Sequence, residues 1–312
     1  MHRIDGPGAT VDNKFTDGDP IGGVQATMVT DDWLNDVQEE LLSVLAAAAI
    51  TPVKGTQNQV LAAIRALSPG ITGSMKNASL SVTAASASAT FTASEVVVST
   101  TLDGQSYRLA NYSQVINLAT TGAGGMDTGT APASGFVALY AIYNPISGAR
   151  SLLAVNATAA VQPLVYGGAS MPAGYTASAL VSVLPTTAAS LFAVCVQTDS
   201  KIDIVGATAL TTSTPAGTTP ITLTTTVFPK NARLISGSTT VASTAASGMS
   251  VAIYSSDAAV GRQINNGTVT AGGQQTVPFT RSSVRTPQTI RYTSVNSSGT
   301  PTFVIEISSY EI

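Results

Sequence analysis

At 312 residues, 44% of them hydrophobic, 10% charged and 5% aromatic, the chain is long enough for two or three domains and apolar enough to bury real cores. Fourteen basic against seventeen acidic residues leave no segment with the basic density that phosphate contacts need, which argues against nucleic acid as a partner. Ala, Ser, Thr and Gly dominate after residue 70, but Val, Ile and Thr are plentiful, so the bias reads as folded β-structure rather than disorder.

The charge is graded, with four basic and nine acidic residues in 1–70 and six and three in 230–312. Residues 1–29, rich in Gly, Asp and Pro, read as an extended arm, with His2 at a mobile end. MHRIDGPG has no apolar core of a secretory signal, which implies synthesis in the cytoplasm. Asp17-Gly18-Asp19 lacks the further ligands of a calcium loop and reads as a turn.

TDDWLNDVQEELLSVLAAAAI, residues 30–50, carries helix signals throughout. Thr30 is placed to cap, Asp31 and Asp32 lie where the helix dipole favours negative charge, and Pro52 supplies a stop. Leu34, Val37, Leu41, Val44 and Ala48 form a stripe at alternating spacings of three and four, widened by Trp33, Leu42 and Leu45. The apolar run LLSVLAAAAI is too short to cross a bilayer, so no membrane insertion is expected. Thr56 and Gln59 suggest a capping box for a second helix bearing Val60, Leu61, Ile64 and Leu67, and Pro69-Gly70 closes a module over 30–70. The stripe through Leu34, Val37, Leu41 and Val44 is a packing surface, either within this hairpin or against copies of itself.

From residue 78 the periodicity becomes β. Strands are expected in ASLSVTAASASATFTASEVVVST, SYRLANYSQVINLAT, GFVALYAIYNP, 150–155 and SALVSVLPT, with a turn at Asn144-Pro145 and Ser147-Gly148. TTSTPAGTTP, residues 211–220, reads as a linker between a β-rich segment, 71–210, and a distal domain, 221–312. In that domain six strand-like segments recur about every ten residues, the spacing of a β-sandwich or jelly roll. Cys195, in LFAVCV, reads as a small buried hydrophobe.

Chemistry is thinly represented. The carboxylates after residue 80 are scattered, and only Asp199 and Asp203 are close in sequence, in TDSKID with Lys201 between them. No histidine occurs after residue 80 for a Ser-His-Asp triad, and no zinc cluster, P-loop or dinucleotide fingerprint occurs, so neither enzyme activity, metal nor cofactor is expected. Binding fits better. The distal domain carries Lys230, Arg233, Arg262, Arg281, Arg285 and Arg291 with Tyr254, Phe279, Tyr292 and Tyr310. Arginine grips phosphate or carboxylate, and aromatic rings stack on sugar faces. Arg281 and Arg285, in TRSSVRTP, are expected on a loop, with Tyr254 and Tyr292 as aromatic partners in binding a lipopolysaccharide or acidic glycan.

FTDGDPIGGVQATMVTDDWLNDVQEELLSVLAAAAITP, continued through QNQVLAAI, resembles the N-terminal module of tailed-bacteriophage and prophage tail fibres. The family pattern F-x-x-G-D-P, W-L-N-x-V-Q-E-E-L, I-x-P and Q-x-x-x-A-I falls on Phe15, Gly18 to Pro20, Trp33 to Asn35, Val37 to Leu41, Ile50, Pro52, Gln59 and Ile64. A second resemblance, to a fibre domain, covers 126–184 through Met126, Asp127, Gly129, Tyr140, Tyr143, Asn144, Pro172, Gly174 and Tyr175. Here the chain departs from the pattern, with Gly135-Phe136-Val137 where aromatics are common. The resemblance implies a homotrimeric fibre in the virion, mainly β with a small N-terminal α-helical module. Such a fibre docks on a tail or baseplate protein through its N-terminal region and turns its C-terminus to the host, where the distal β-sandwich is expected to meet a bacterial surface glycan. Two alternatives stay open: an adaptor carrying a separate tip protein, and a polysaccharide-degrading spike.

Overall fold

Thr30 leaves the preceding chain in an extended conformation, and its hydroxyl accepts from the Trp33 amide at 3.4 Å, so α1 begins at the expected cap and runs Asp31–Ala47. The computed structural model describes residues 2–67 and 70–312, which fall into two compact units divided at Gly70. Pro69, expected to close the helical module, lies outside the described residues.

In the first unit α1 ends before Pro52. Ala49 enters the left-handed region at φ 54, its N–H bonds Ala46 O, and the Ile50 N–H bonds Leu45 O at 2.9 Å. This is a Schellman closure, sealed by the apolar pair Leu45 and Ile50, that uses alanine where glycine would be strain-free. The capping box does not form. The second helix, α2 (Gln59–Leu67), starts from Asn58, whose carbonyl takes the Ala62 N–H. Gln59 turns back instead, accepting from Val53 N and donating to Thr51 O, and so pins the loop around Pro52. Leu45, Ala48 and Ala63 form the buried contact between the helices, with Leu42, Val44, Ile50 and Ala66 around it. The expected stripe therefore divides: Val44 packs in the hairpin, whereas Leu34 and Leu41 are exposed, as are Leu61, Ile64 and Leu67 on α2.

The arm is not free either. Ile4 is buried, Phe15 meets Trp33 edge to face at 5.2 Å, and His2 Nδ1 lies 2.7 Å from Asp36 Oδ2. His2, expected at a mobile end, thus lies against a carboxylate on α1. Asp36 is the main cause of a His2 pKa raised above its ordinary value.

In the second unit every strand pairs antiparallel with its neighbours. A long sheet is built from β1 (Met75–Lys76), β2 (Ser79–Val82), β3 (Ser88–Ser99), β4 (Ser106–Asn117), β5 (Phe136–Tyr143), β6 (Arg150–Asn156), β7 (Ala177–Pro185), β8 (Cys195–Thr198) and β9 (Lys201–Thr212). β11 (Leu234–Ser243), β14 (Gln274–Ser283) and β16 (Pro301–Glu311) extend it, giving the order β14-β11-β16-β9-β8-β2-β3-β7-β5-β6, with β1 and β4 also on β3. β5 and β7 are apolar on both faces. Val137, Leu139 and Ala141 face the main core, while Ala138, Tyr140 and Ile142 are roofed by Tyr166, Met171 and Tyr175 from the connection after β6.

A second sheet has the order β10-β15-β12-β13, from β10 (Gly217–Thr224), β12 (Ser247–Tyr254), β13 (Gln263–Val269) and β15 (Thr289–Asn296). Val241 and Phe303 of the long sheet interdigitate with Met249, Val251 and Val269 of this one. Counted from β9, the eight strands pair as 1-8-3-6 and 2-7-4-5, the arrangement of a jelly roll. It begins at Lys201, not at 221. Residues 211–220, expected as a linker, hold the end of β9, a turn and the start of β10, so this Thr- and Pro-rich stretch crosses between the two sheets. Pro220 is tolerated there because β10 is an edge strand. The main buried cluster runs from Ala78 to Tyr310 without a break, and the Tyr310 hydroxyl donates to Val183 O at 2.7 Å.

Candidate functional site

Antiparallel register places Tyr254 opposite Arg291, and Arg291 opposite Thr222. The residues that continue past these strand ends meet in a small cleft of about 140 Å³. Ser255, Ser256 and Asp257 form one wall, and Ser283, Arg285 and Thr286, with Thr289 and Arg291, form the other. Arg291 is fixed from two sides: it forms an ion pair with Asp257 and donates from Nη1 to Thr222 Oγ1 at 2.6 Å. Arg285 is exposed and has no ion-pair partner among the described residues. The Ser256 hydroxyl is shut off from solvent yet has no hydrogen-bond partner.

Both walls are held from behind. Gly261, at φ +70, lies where a side chain would collide with Ser255, and the Ser255 N–H closes the turn on Val260 O at 2.8 Å. Gln288, left-handed at φ 56, buries its amide and donates to Phe228 O at 2.9 Å. The geometry of the cleft is thus fixed without a ligand.

The four distal residues singled out from sequence separate. Arg285 and Tyr254 line the cleft, although Tyr254 is largely buried, with its hydroxyl 3.3 Å from Thr293 Oγ1. Tyr292 belongs to the core beside Ile253 and Ile290, and burial pushes its hydroxyl pKa up. Arg281 lies in β14 rather than on a loop. It sits at φ 49, beside the register shift opposite Ser236, and binds both oxygens of Glu311 at 2.6 and 2.8 Å. Sequence reasoning missed Ser256 and Asp257. Their signal was the pairing of β12 with β15, which brings SSD and RSSVRT together, and a linear reading does not contain it.

Several of the scattered carboxylates are paired. Glu95 pairs with Arg108, Asp203 with Lys201 and Asp257 with Arg291, while Asp127 accepts from the Tyr166 hydroxyl at 3.0 Å. Asp199 opens the two-residue β8–β9 turn and accepts from Ala78 N at 2.9 Å. Among the described residues no group of three or more His, Cys, Asp or Glu could hold a metal ion. No described helix is long and apolar enough to cross a membrane. Cys195 is buried, and burial pushes its thiol pKa up to about 11.

The class that emerges is an antiparallel β protein whose terminal eight strands form a jelly roll, with a separate unit carrying a helical hairpin. Compared with known proteins, the chain is 44% identical over 73 residues to the uncharacterized protein StfP of Escherichia coli (strain K12). The match covers 22% of this chain and 35% of StfP, so the chain spans about a third of that relative's length. No protein-family profile matches. A chain of the T13 IBDV viral particle aligns over 89% of this chain at 11% identity, but a TM-score of 0.21 carries no weight for the fold.

Proposed function

We propose that this chain is a bacteriophage tail-fibre component of the virion, assembled as a homotrimer. Its first unit attaches it to a tail or baseplate protein, and its jelly roll binds a bacterial surface glycan. The observation that carries the reading is that the residues of the fibre-like motif build the first unit. Phe15 meets Trp33 edge to face, and Gly18 adopts φ +76 where a side chain would strike Val24 O and Ala26 N. Asp19 pairs with Val24, Gln59 pins the Pro52 loop, and Ala63 fills the contact with Leu45 and Ala48. The motif is thus a set of mutually dependent contacts, and the partial identity with StfP agrees with a shared module.

In the second resemblance, likewise, Asp127 and Tyr140 fasten the connection after β6, and Gly174 (φ +82) closes the turn whose Tyr175 N–H bonds Pro172 O. Exposed Leu34, Leu41, Leu61, Ile64 and Leu67 give the hairpin an apolar face that sister chains would cover. A jelly roll is a frequent carrier of lectin and capsid domains, and three copies would turn weak contacts into avidity. Binding rather than catalysis is the role we assign.

The test is a solution mass together with cell binding by the purified full chain. A species of three times 31.5 kDa that binds host cells and blocks phage adsorption is expected. A monomer at micromolar concentration, or a trimer that leaves adsorption untouched, would count against it.

A further inference from the structure

The cleft at the end of β12 and β15 has an uneven charge. Arg291 is neutralised by Asp257, whereas Arg285, across the same space, is not neutralised. An anion entering the cleft would gain a charge-assisted bond to Arg285 without displacing a partner. The Arg291–Asp257 pair offers a donor and an acceptor side by side, which suits neighbouring hydroxyls.

Size sets the ligand's scale. The cleft, at about 140 Å³, is well below the 300 Å³ or more typical of drug-sized pockets. That is room for one ring, not a buried oligomer. The lining is mostly serine, threonine, arginine and aspartate, so the ring must itself be polar. Because Gly261 and Gln288 already hold both walls, little ordering is needed on binding.

We propose that this cleft binds a single sugar residue bearing an anionic group, a carboxylate or a phosphate. The charge lies on Arg285, and ring hydroxyls lie on Asp257 and Arg291. The proposal rests on the reading that the jelly roll binds a glycan, and it names the class of sugar. Arg285 also borders a second groove of about 310 Å³ with Lys230 and Arg233 among its lining residues, a basic path along which a longer acidic glycan would continue.

The test is calorimetric titration of the full-length chain with trigalacturonate, glucose 1-phosphate and neutral maltotriose. One or both anionic probes are expected to bind and maltotriose not, and which of the two binds distinguishes carboxylate from phosphate. Arg285→Ala should weaken that binding by about tenfold to a hundredfold, the loss expected of one charge-assisted contact. Arg108→Ala, in a remote pair with Glu95, should not weaken it at all. Unchanged melting of each variant shows that the fold is retained. The cleft is wrongly assigned if no anionic probe binds, if maltotriose binds equally well, or if Arg285→Ala binds like the parent chain. Binding to host cells by the same preparation tests the broader reading separately: cell binding without probe binding discards the cleft alone.

Discussion

Tyr310→Phe tests whether residues 70–312 unfold as one body. The Tyr310 ring is almost fully buried near the end of β16, and its hydroxyl reaches across to the Val183 carbonyl on β7. Removing one oxygen keeps the ring packing and deletes a buried hydrogen bond, at a cost of about 1–2 kcal/mol. In a unit of this size each kcal/mol moves the melting temperature by about 2–4 °C, so a drop of about 2–8 °C is expected. The probes come with the sequence: all nine tyrosines lie between 107 and 310, and the single tryptophan is Trp33. Near-ultraviolet tyrosine dichroism therefore follows the second unit, and Trp33 emission follows the first. One tyrosine transition should shift as a whole while the tryptophan transition stays in place, with chain concentration held constant because association would also move it. Two resolved tyrosine transitions, only one of them shifted, would mean that the continuous core does not couple β7 to the jelly roll.

Ala49→Gly should stabilise the first unit by about 1 kcal/mol, since glycine adopts the left-handed Schellman position without the penalty alanine bears, and Trp33 emission should report a later transition. No gain would show that Ala49 does not hold that conformation in solution. Burial raises the hydroxyl pKa of Tyr112, Tyr140 and Tyr310 above the ordinary 10.0. Their contribution is complete below pH 10 and declines as pH rises towards the folded values, because the unfolded chain ionises first. Denaturant titrations above pH 10 should lose about 1.4 kcal/mol per pH unit for each such tyrosine, and a flat profile would contradict their burial. Cys195, its thiol pKa raised to about 11, should resist thiol reagents at pH 8 until the tyrosine transition, a delay absent if β8 opens locally.

Local signals were legible where neighbours in sequence supply the partner. Thr30 caps α1 because the Trp33 amide is three residues away, and the Asn144 turn closes because the Asn144 side chain accepts from Ile146 and Ser147. Alternation in β3 and the apolar run of β5 likewise declared themselves, since burial on one face or both leaves its mark on each residue. The readings that failed depended on distant partners. Gln59 looked like half of a capping box until the loop at Thr51 and Val53 took both ends of its amide. Arg281 looked like a free loop cation until Glu311, at the end of β16, claimed it.

The stretch 211–220 shows most clearly why a domain boundary is hard to read from composition. Thr, Pro and Gly mark places where a chain need not pair continuously, and that condition is met equally by a linker and by a crossing between two sheets. What distinguishes them is the partner of the strand before. Ile202, Leu210 and Thr212 of β9 lie opposite Tyr310, Ile305 and Phe303 of β16, about a hundred residues on, so β9 belongs to the jelly roll by pairing that no local window contains. The same non-local pairing generates the cleft. Tyr254 and Arg291 become neighbours only when β12 and β15 align, and the loops that follow and precede them then bring an unpaired Arg285 and a neutralised Arg291 into one space. A linear reading can thus name Arg285 from its residue type and its context. Its freedom from an acidic partner, which sets it apart from Arg281 and Arg291, is a property of the sheet topology.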